Sequence, residues 1–186
     1  MASIITATTS SGLTQSADNS GVLQLASGTG NLVTVPSVTG TMITTASTFA
    51  GTGPAFYAYL NQTQSFTSGV YTKVQLNAEL FDTANAFDST TNYRFTPQVA
   101  GYYQINCQAG SISSTYSGNN IVAIYKNGSI YSSGFLATHG TPILSNLVYL
   151  NGTTDYIEFY NQLGTSQNLT ASSSTTYLSG FLARSA

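Results

Sequence analysis

Few residues in this chain could do chemistry, and they can be taken one at a time. The sequence holds one histidine, His139, in the loop Thr138-His139-Gly140-Thr141-Pro142. Asp155 and any of many serines would complete a Ser-His-Asp set on paper, but no nucleophile elbow or equivalent motif surrounds a serine. An exposed loop histidine is the expected reading. Zinc needs three or four Cys, His or carboxylate ligands at suitable spacing. One histidine and one cysteine, Cys107, do not supply them. Six acidic residues scattered along the chain form no pair that spacing would set across a glycosidase cleft. The one oxygen-rich cluster is Asp82, Asn85 and Asp88 in Phe81-Asp82-Thr83-Ala84-Asn85-Ala86-Phe87-Asp88. Such ligands suit calcium, but the loop lacks the carboxylate density and glycine placement of an EF-hand, and turns in which Asp and Asn bond their own backbone are the expected reading. No enzyme and no cofactor are expected.

Composition narrows the classes further. Charged residues make up 5% of the 186, against about 25% in ordinary soluble domains, so Ser, Thr, Asn, Gln and Tyr must carry the solubility. A surface of that kind is cheap to desolvate and suits cover by other subunits. With four Lys and Arg and a net charge of −2, the chain lacks the basic footprint that phosphate backbones require, which argues against nucleic-acid binding. The first residues, Met1-Ala2-Ser3-Ile4-Ile5-Thr6, do not read as a signal peptide. No apolar run approaches the roughly 20 residues of a membrane span. The Asn-x-Ser/Thr triplets at Asn61, Asn127, Asn151 and Asn168 are expected by chance in so polar a chain.

The elements that would position these residues are strands. Tyr103, Ile105, Cys107 and Ala109 alternate with Gln104, Asn106 and Gln108, the period of a strand buried on one face. Pro97 and Gly101 mark its entry. Cys107 then faces inward as a small buried apolar residue. Val70 to Phe81 alternates most cleanly, with Val70, Thr72, Val74, Leu76, Ala78 and Leu80 on one side, and reads as one long strand. Phe56 to Leu60, Ile121 to Tyr125, Ser129 to Leu136, Ile143 to Leu150, Tyr156 to Tyr160 and Thr176 to Arg184 read as further strands. Asn127-Gly128 predicts a two-residue hairpin turn, since both central positions of a type I′ turn need positive φ. Asn151-Gly152-Thr153 predicts a second turn, joining Ile143 to Leu150 to a partner at Tyr156 to Tyr160. Gln162 to Ser174 reads as a polar loop. No stretch has sustained helical spacing, so the fold class is all-β, a sandwich.

The spacing Phe95, Gly101, Tyr103, Ile105, Cys107, with Leu76, Asp82 and Phe87 upstream and Ser179-Gly180-Phe181-Leu182 at the end, resembles the signature of C1q/TNF-like domains. Leu76, Ile105 and Cys107 stand where that family prefers aromatics, and one extra residue separates Phe87 from Phe95. The resemblance covers residues 54–186 and implies a jelly-roll sandwich, homotrimeric, with the first and last strands side by side in the middle of one sheet. Aromatics fall on both faces of several strands, and outward ones need a cover that a lone sandwich lacks. On the resemblance, Tyr57, Tyr59, Tyr103, Tyr160 and Phe181 are the expected trimer-interface residues.

Residues 1–47 differ in kind. They are rich in Thr, Ser and Gly, with apolar clusters at Ile4-Ile5, Val22-Leu23-Gln24-Leu25 and Leu32-Val33-Thr34-Val35, which read as very short strands joined by tight turns. Ordering a backbone costs about 1–2 kcal/mol per residue, and so sparse a set of aliphatic side chains, at roughly 1.5–3 kcal/mol each, does not offset it. The segment is therefore expected to order against a partner, with Ile4, Ile5, Val22, Leu23, Leu25, Leu32, Val33 and Val35 as attachment residues. Residues 48–53 read as a linker. In style the segment resembles the amino-terminal attachment segments of bacteriophage structural proteins.

Together these resemblances imply a trimeric capsid decoration or cement protein of a virion. Its N-terminal segment would bind a major capsid or other virion protein, and its C-terminal knob would point outward. The alternatives are the receptor-binding tip of a phage tail or head fibre, contacting a host receptor or glycan through loops such as 137–142 and 162–174, and a secreted C1q-like ligand.

Overall fold

The computed structural model describes residues 23–27, 31–35, 53–110, 118–136 and 140–186. It divides into two units, Met1–Ala50 and Gly51–Ala186. In the first, strands β1 (Leu23–Ser27) and β2 (Asn31–Val35) pair antiparallel. Their register sets Leu23 opposite Val35 and Leu25 opposite Val33, while Leu32 stands opposite Ala26. Ile4, Ile5 and Val22 lie outside the described residues.

The second unit is a sandwich of two antiparallel sheets. In chain order its strands are β3 (Ala55–Tyr59), β4 (Gln64–Phe66), β5 (Thr72–Lys73), β6 (Ala78–Asp82), β7 (Phe87–Asp88), β8 (Arg94–Phe95), β9 (Gly101–Gln108), β10 (Asn120–Lys126), β11 (Ser129–Leu136), β12 (Ile143–Leu150), β13 (Ile157–Leu163), β14 (Gln167–Leu169) and β15 (Tyr177–Ser185). The five-stranded sheet runs β12-β9-β15-β3-β6. The first and last strands of the domain, β3 and β15, are therefore central neighbours, as the jelly roll requires. The six-stranded sheet runs β11-β10-β13-β8-β7, with β5 also on β13, and β4 and β14 form a separate pair. The inward rows Phe56, Ala58 and Leu60, then Tyr103, Ile105 and Cys107, face Val122, Ile124, Ile157, Phe159 and Leu163 across one fully buried core.

Three elements differ from the expectations drawn from the sequence. Val70 to Phe81 is not one strand. Thr72–Lys73 pairs with β13 of one sheet, Ala78–Asp82 pairs with β3 of the other, and the residues between them cross the sandwich. Val74 and Leu76 are fully buried at that crossing, whereas Val70 and Leu80 are exposed. Leu80 has no opposite residue, because the register passes from Tyr57↔Phe81 to Ala58↔Glu79 across a bulge. Alternation thus continues through a change of sheet, and each sheet sets its own inward direction.

Asn151-Gly152-Thr153 is a turn, with Gly152 at φ 72°, but it is no hairpin. β12 pairs with β9, β13 pairs with β10, and the turn passes the chain from one sheet to the other. Finally, the segment 162–174 holds β14, whose Leu169 is fully buried. The Asn127-Gly128 hairpin has the expected backbone, with φ 53° and 79°.

Candidate assembly surface

The outward face of the five-stranded sheet carries the feature that most needs explaining. Tyr57 and Tyr59 of β3, Phe81 of β6, Tyr177 and Phe181 of β15, Tyr102 of β9 and Tyr149 of β12 all belong to outward rows, by the alternation of burial along each strand. Phe81, Phe181, Tyr102 and Tyr149 are between 41% and 49% exposed, a large aromatic display for a folded domain. Tyr57 stacks on Tyr177 with centroids 4.9 Å apart and donates its hydroxyl to the Ser173 carbonyl at 2.6 Å. Burial, helped by neighbouring Tyr177, raises the Tyr57 pKa. Tyr102 and Tyr149 approach to 5.4 Å. Between the aromatic groups runs a polar strip, in which Gln104 donates to Ser145 Oγ at 2.9 Å and Ser145 donates to Asn106 Oδ1 at 2.7 Å.

The exposed surface continues through the outward row of β12 onto one flank, where edge strands β11 and β12 of the two sheets meet. Tyr131 donates its hydroxyl to the Leu147 carbonyl at 3.0 Å, and Asn146 donates to Ser132 Oγ at 2.8 Å. Ile130, Tyr131, Phe135, Ile143 and Leu147 there are all exposed, Ile143 to 64%. Sequence reasoning misses this flank because its signal is not a motif. It comes from strands of different sheets lying edge to edge.

The expected interface residues separate in the structure. Tyr57, Tyr59 and Phe181 share the outward face just described. Tyr103 is a correction: it is fully buried, edge-on to Phe95 at 5.5 Å, and donates its hydroxyl to the Val99 carbonyl, so it offers nothing to a partner. Burial pushes its pKa up to about 12. Tyr160 lies on the outward side of the other sheet, stacked on Tyr125 at 3.8 Å.

The chemistry-bearing residues are engaged in structure. Asp82 accepts from the backbone N–H groups of Ala84 and Phe87, at 3.1 and 2.7 Å. Asp88 accepts from the N–H groups of Thr90, Thr91 and Asn92, and these bonds hold its carboxyl well below the usual range. Asn85 takes a left-handed backbone at φ 51°. These are the bonds of Asx-type turns. Asp155 pairs with Lys126 at 2.9 Å and accepts from Asn127 at 2.7 Å. His139 lies outside the described residues. Cys107 is buried, and burial drives its thiol pKa far up. Among the described residues no group of three or more His, Cys, Asp or Glu could hold a metal ion.

No protein-family model matches the sequence, and no curated protein matches it. Solved structures do. The globular domain of zebrafish complement 1qA superposes with a TM-score of 0.56 at 18% identity, covering 72% of this chain and 99% of that one. Eiger TNF from S. frugiperda gives 0.58 at 7%, covering 72% and 95%. PRD1 vertex protein P5 gives 0.57 at 13%, covering 71% and 98%. The second unit therefore has the C1q/TNF-like jelly-roll fold, and none of these three is named as an enzyme.

Proposed function

We propose that the chain is a non-enzymatic structural protein of a virion. It is a homotrimer that decorates or cements a capsid, attached through its first fifty residues and presenting the jelly-roll domain outward. The observation that carries this reading is that the aromatic face of the five-stranded sheet continues through Leu147 and Ile143 of β12 onto the exposed residues of the β11/β12 flank, an apolar surface too broad for a lone domain. If the flank of one copy covers the face of the next, the contact is heterologous, and it leaves no exposed surface only when it closes into a ring. The near-absence of charge on the chain lowers the cost of desolvating face and flank alike.

The virion assignment draws on the composition of the first fifty residues and on the likeness in fold to a protein named for a vertex. Mass action supplies the mechanism, because a segment that binds the assembled shell and not its loose subunits stabilises the shell. The test is twofold. Light scattering on the purified chain should give three times its 19.5 kDa, and quantitative mass spectrometry of purified particles should find copies in proportion to the capsid protein. A monomer in solution, or absence from particles, overturns the reading.

A further inference from the structure

We propose that the outward face of the six-stranded sheet binds a neutral saccharide on a row of three tyrosines, Tyr71, Tyr125 and Tyr160. Tyr125 and Tyr160 stack with centroids 3.8 Å apart and planes 22° from parallel, and Tyr71 follows at 6.2 Å from Tyr125. All three are half-buried, and none of their hydroxyls has a hydrogen-bond partner among the described residues. Ala123, opposite Tyr160 in the register and part of the outward row, is nonetheless fully buried, so the row has a closed floor. Phenol rings whose polar edges are uncommitted suit a ligand that is itself apolar on its ring face and hydroxylated at its rim.

Charge selects among ligands. Each cation on this sheet is already engaged: Lys73 pairs with Glu158, Lys126 with Asp155, and Arg94 lies over the Tyr156 ring at 4.4 Å. Among the described residues of this sheet, no free cation remains to hold a phosphate, a sulfate or a sialic acid. A protein partner would call for exposed aliphatic anchors in the centre of the face. Ile130, opposite Tyr125 in the register, and Phe135 are exposed on the edge strand β11, so the apolar area borders the row and does not stand at its centre. Beside the tyrosines, Gln162 donates to the Gly69 carbonyl at 2.7 Å, which fixes its amide next to the row. A neutral pyranose matches what is present: aromatic planes, hydroxyls, an amide and no net charge.

The proposal leans on the trimer reading only in that a contact made by the five-stranded sheet and the β11/β12 flank stops short of Tyr125 on β10 and Tyr160 on β13. The full chain would be probed by saturation-transfer NMR with three neutral trisaccharides: maltotriose, the β-1,4 trimer of N-acetylglucosamine and a galactose-terminated trisaccharide. Transfer to at least one is expected. Tyr125→Ala should weaken binding about tenfold, and Tyr160→Phe, which keeps the ring, should weaken it less. Leu80→Ala, at an exposed position on the other sheet outside the aromatic face, should leave it unchanged. No transfer to any of the three, or equal binding by Tyr125→Ala and Leu80→Ala, overturns the proposal. So does binding confined to a sialylated analogue. Light scattering on the same samples keeps the two readings apart, since a trimer without sugar binding sinks only this one and a sugar-binding monomer sinks only the other.

Discussion

Phe56 of β3 stacks on Phe95 of β8 with ring centroids 4.1 Å apart and planes 15° from parallel. The two rings belong to different sheets and both are fully buried, so their contact ties the faces of the sandwich together. Phe87 extends the stack at 5.5 Å from Phe56, and Tyr103 closes it edge-on to Phe95. Truncating either central ring removes buried area and leaves a cavity that the two sheets cannot close. Phe56→Ala or Phe95→Ala should each cost about 3–5 kcal/mol, read as a fall in the midpoint of urea unfolding. Phe181→Ala, at an exposed position, should change that midpoint far less in the dissociated chain.

Gly180 sits beneath this stack. A Cβ there would meet Ile105 Cδ1 at 2.6 Å, the Gln104 carbonyl oxygen at 2.9 Å and Phe56 Cε1 at 3.0 Å. Because one of these atoms is backbone on the neighbouring strand, the clash cannot be relieved by a side-chain rotation alone. Gly180→Ala is expected to destabilise the domain by about 1–3 kcal/mol, the range for overpacking a core. Differential scanning calorimetry of the variant checks it.

Much of this sandwich is legible in the amino-acid sequence. The strand from Gly101 to Gln108 announces its inward face because it lies within a single sheet, so one period of two describes all of it. The Asn127-Gly128 turn is equally plain, since its chemistry is local. The crossing at Val74 to Leu76 is not, because its apolar alternation is continuous while the sheet it serves changes. The pairing of β12 with β9 is hidden for a related reason. A turn signal says that the chain reverses, but not which strand waits beside it. Tyr57, Tyr59 and Phe181, which the family resemblance singles out, do share the outward face of the five-stranded sheet. The β11/β12 flank depends on edge strands meeting in space.

The assembly reading predicts a clean separation between folding and association. Phe181 is 49% exposed in the single domain, so a charge there need not disturb the core. Phe181→Asp should yield a monomer by light scattering with the near-ultraviolet dichroism of a folded domain. A trimer that survives this change, and also survives Tyr57→Asp, would place the contact elsewhere.

Acid should weaken the domain in a definite direction. Backbone bonds from Thr91 and Thr90 depress the Asp88 carboxyl, and bonds from Asn127 and Lys126 depress that of Asp155. A carboxyl whose folded pKa lies below its unfolded value contributes stability above the unfolded value, about 3.9, and loses it as pH falls through the folded one. Thermal melting should therefore be level near neutrality and decline below about pH 4. Asp88→Asn and Asp155→Asn should each melt lower at neutral pH and show a shallower acid decline. With the Asp82 and Asp88 oxygens taken up by backbone donors, chelator should leave the melting curve where it is.

Cys107 offers a readout that requires no mutation. It is the sole cysteine of the chain, fully buried between the sheets, and burial raises its thiol pKa. Both effects suppress reaction, since the thiolate is the nucleophile and the reagent must also reach it. In the folded protein the thiol should be silent to a disulfide reagent at neutral pH. Its labelling should follow the opening of the sandwich, rising with urea in step with the loss of dichroism. Phe56→Ala and Gly180→Ala, which weaken the packing around this core, should shift that labelling curve to lower urea. Fast labelling of the native chain would mean that β9 opens without global unfolding, and that the stacked rings of Phe56 and Phe95 do not hold the sheets together.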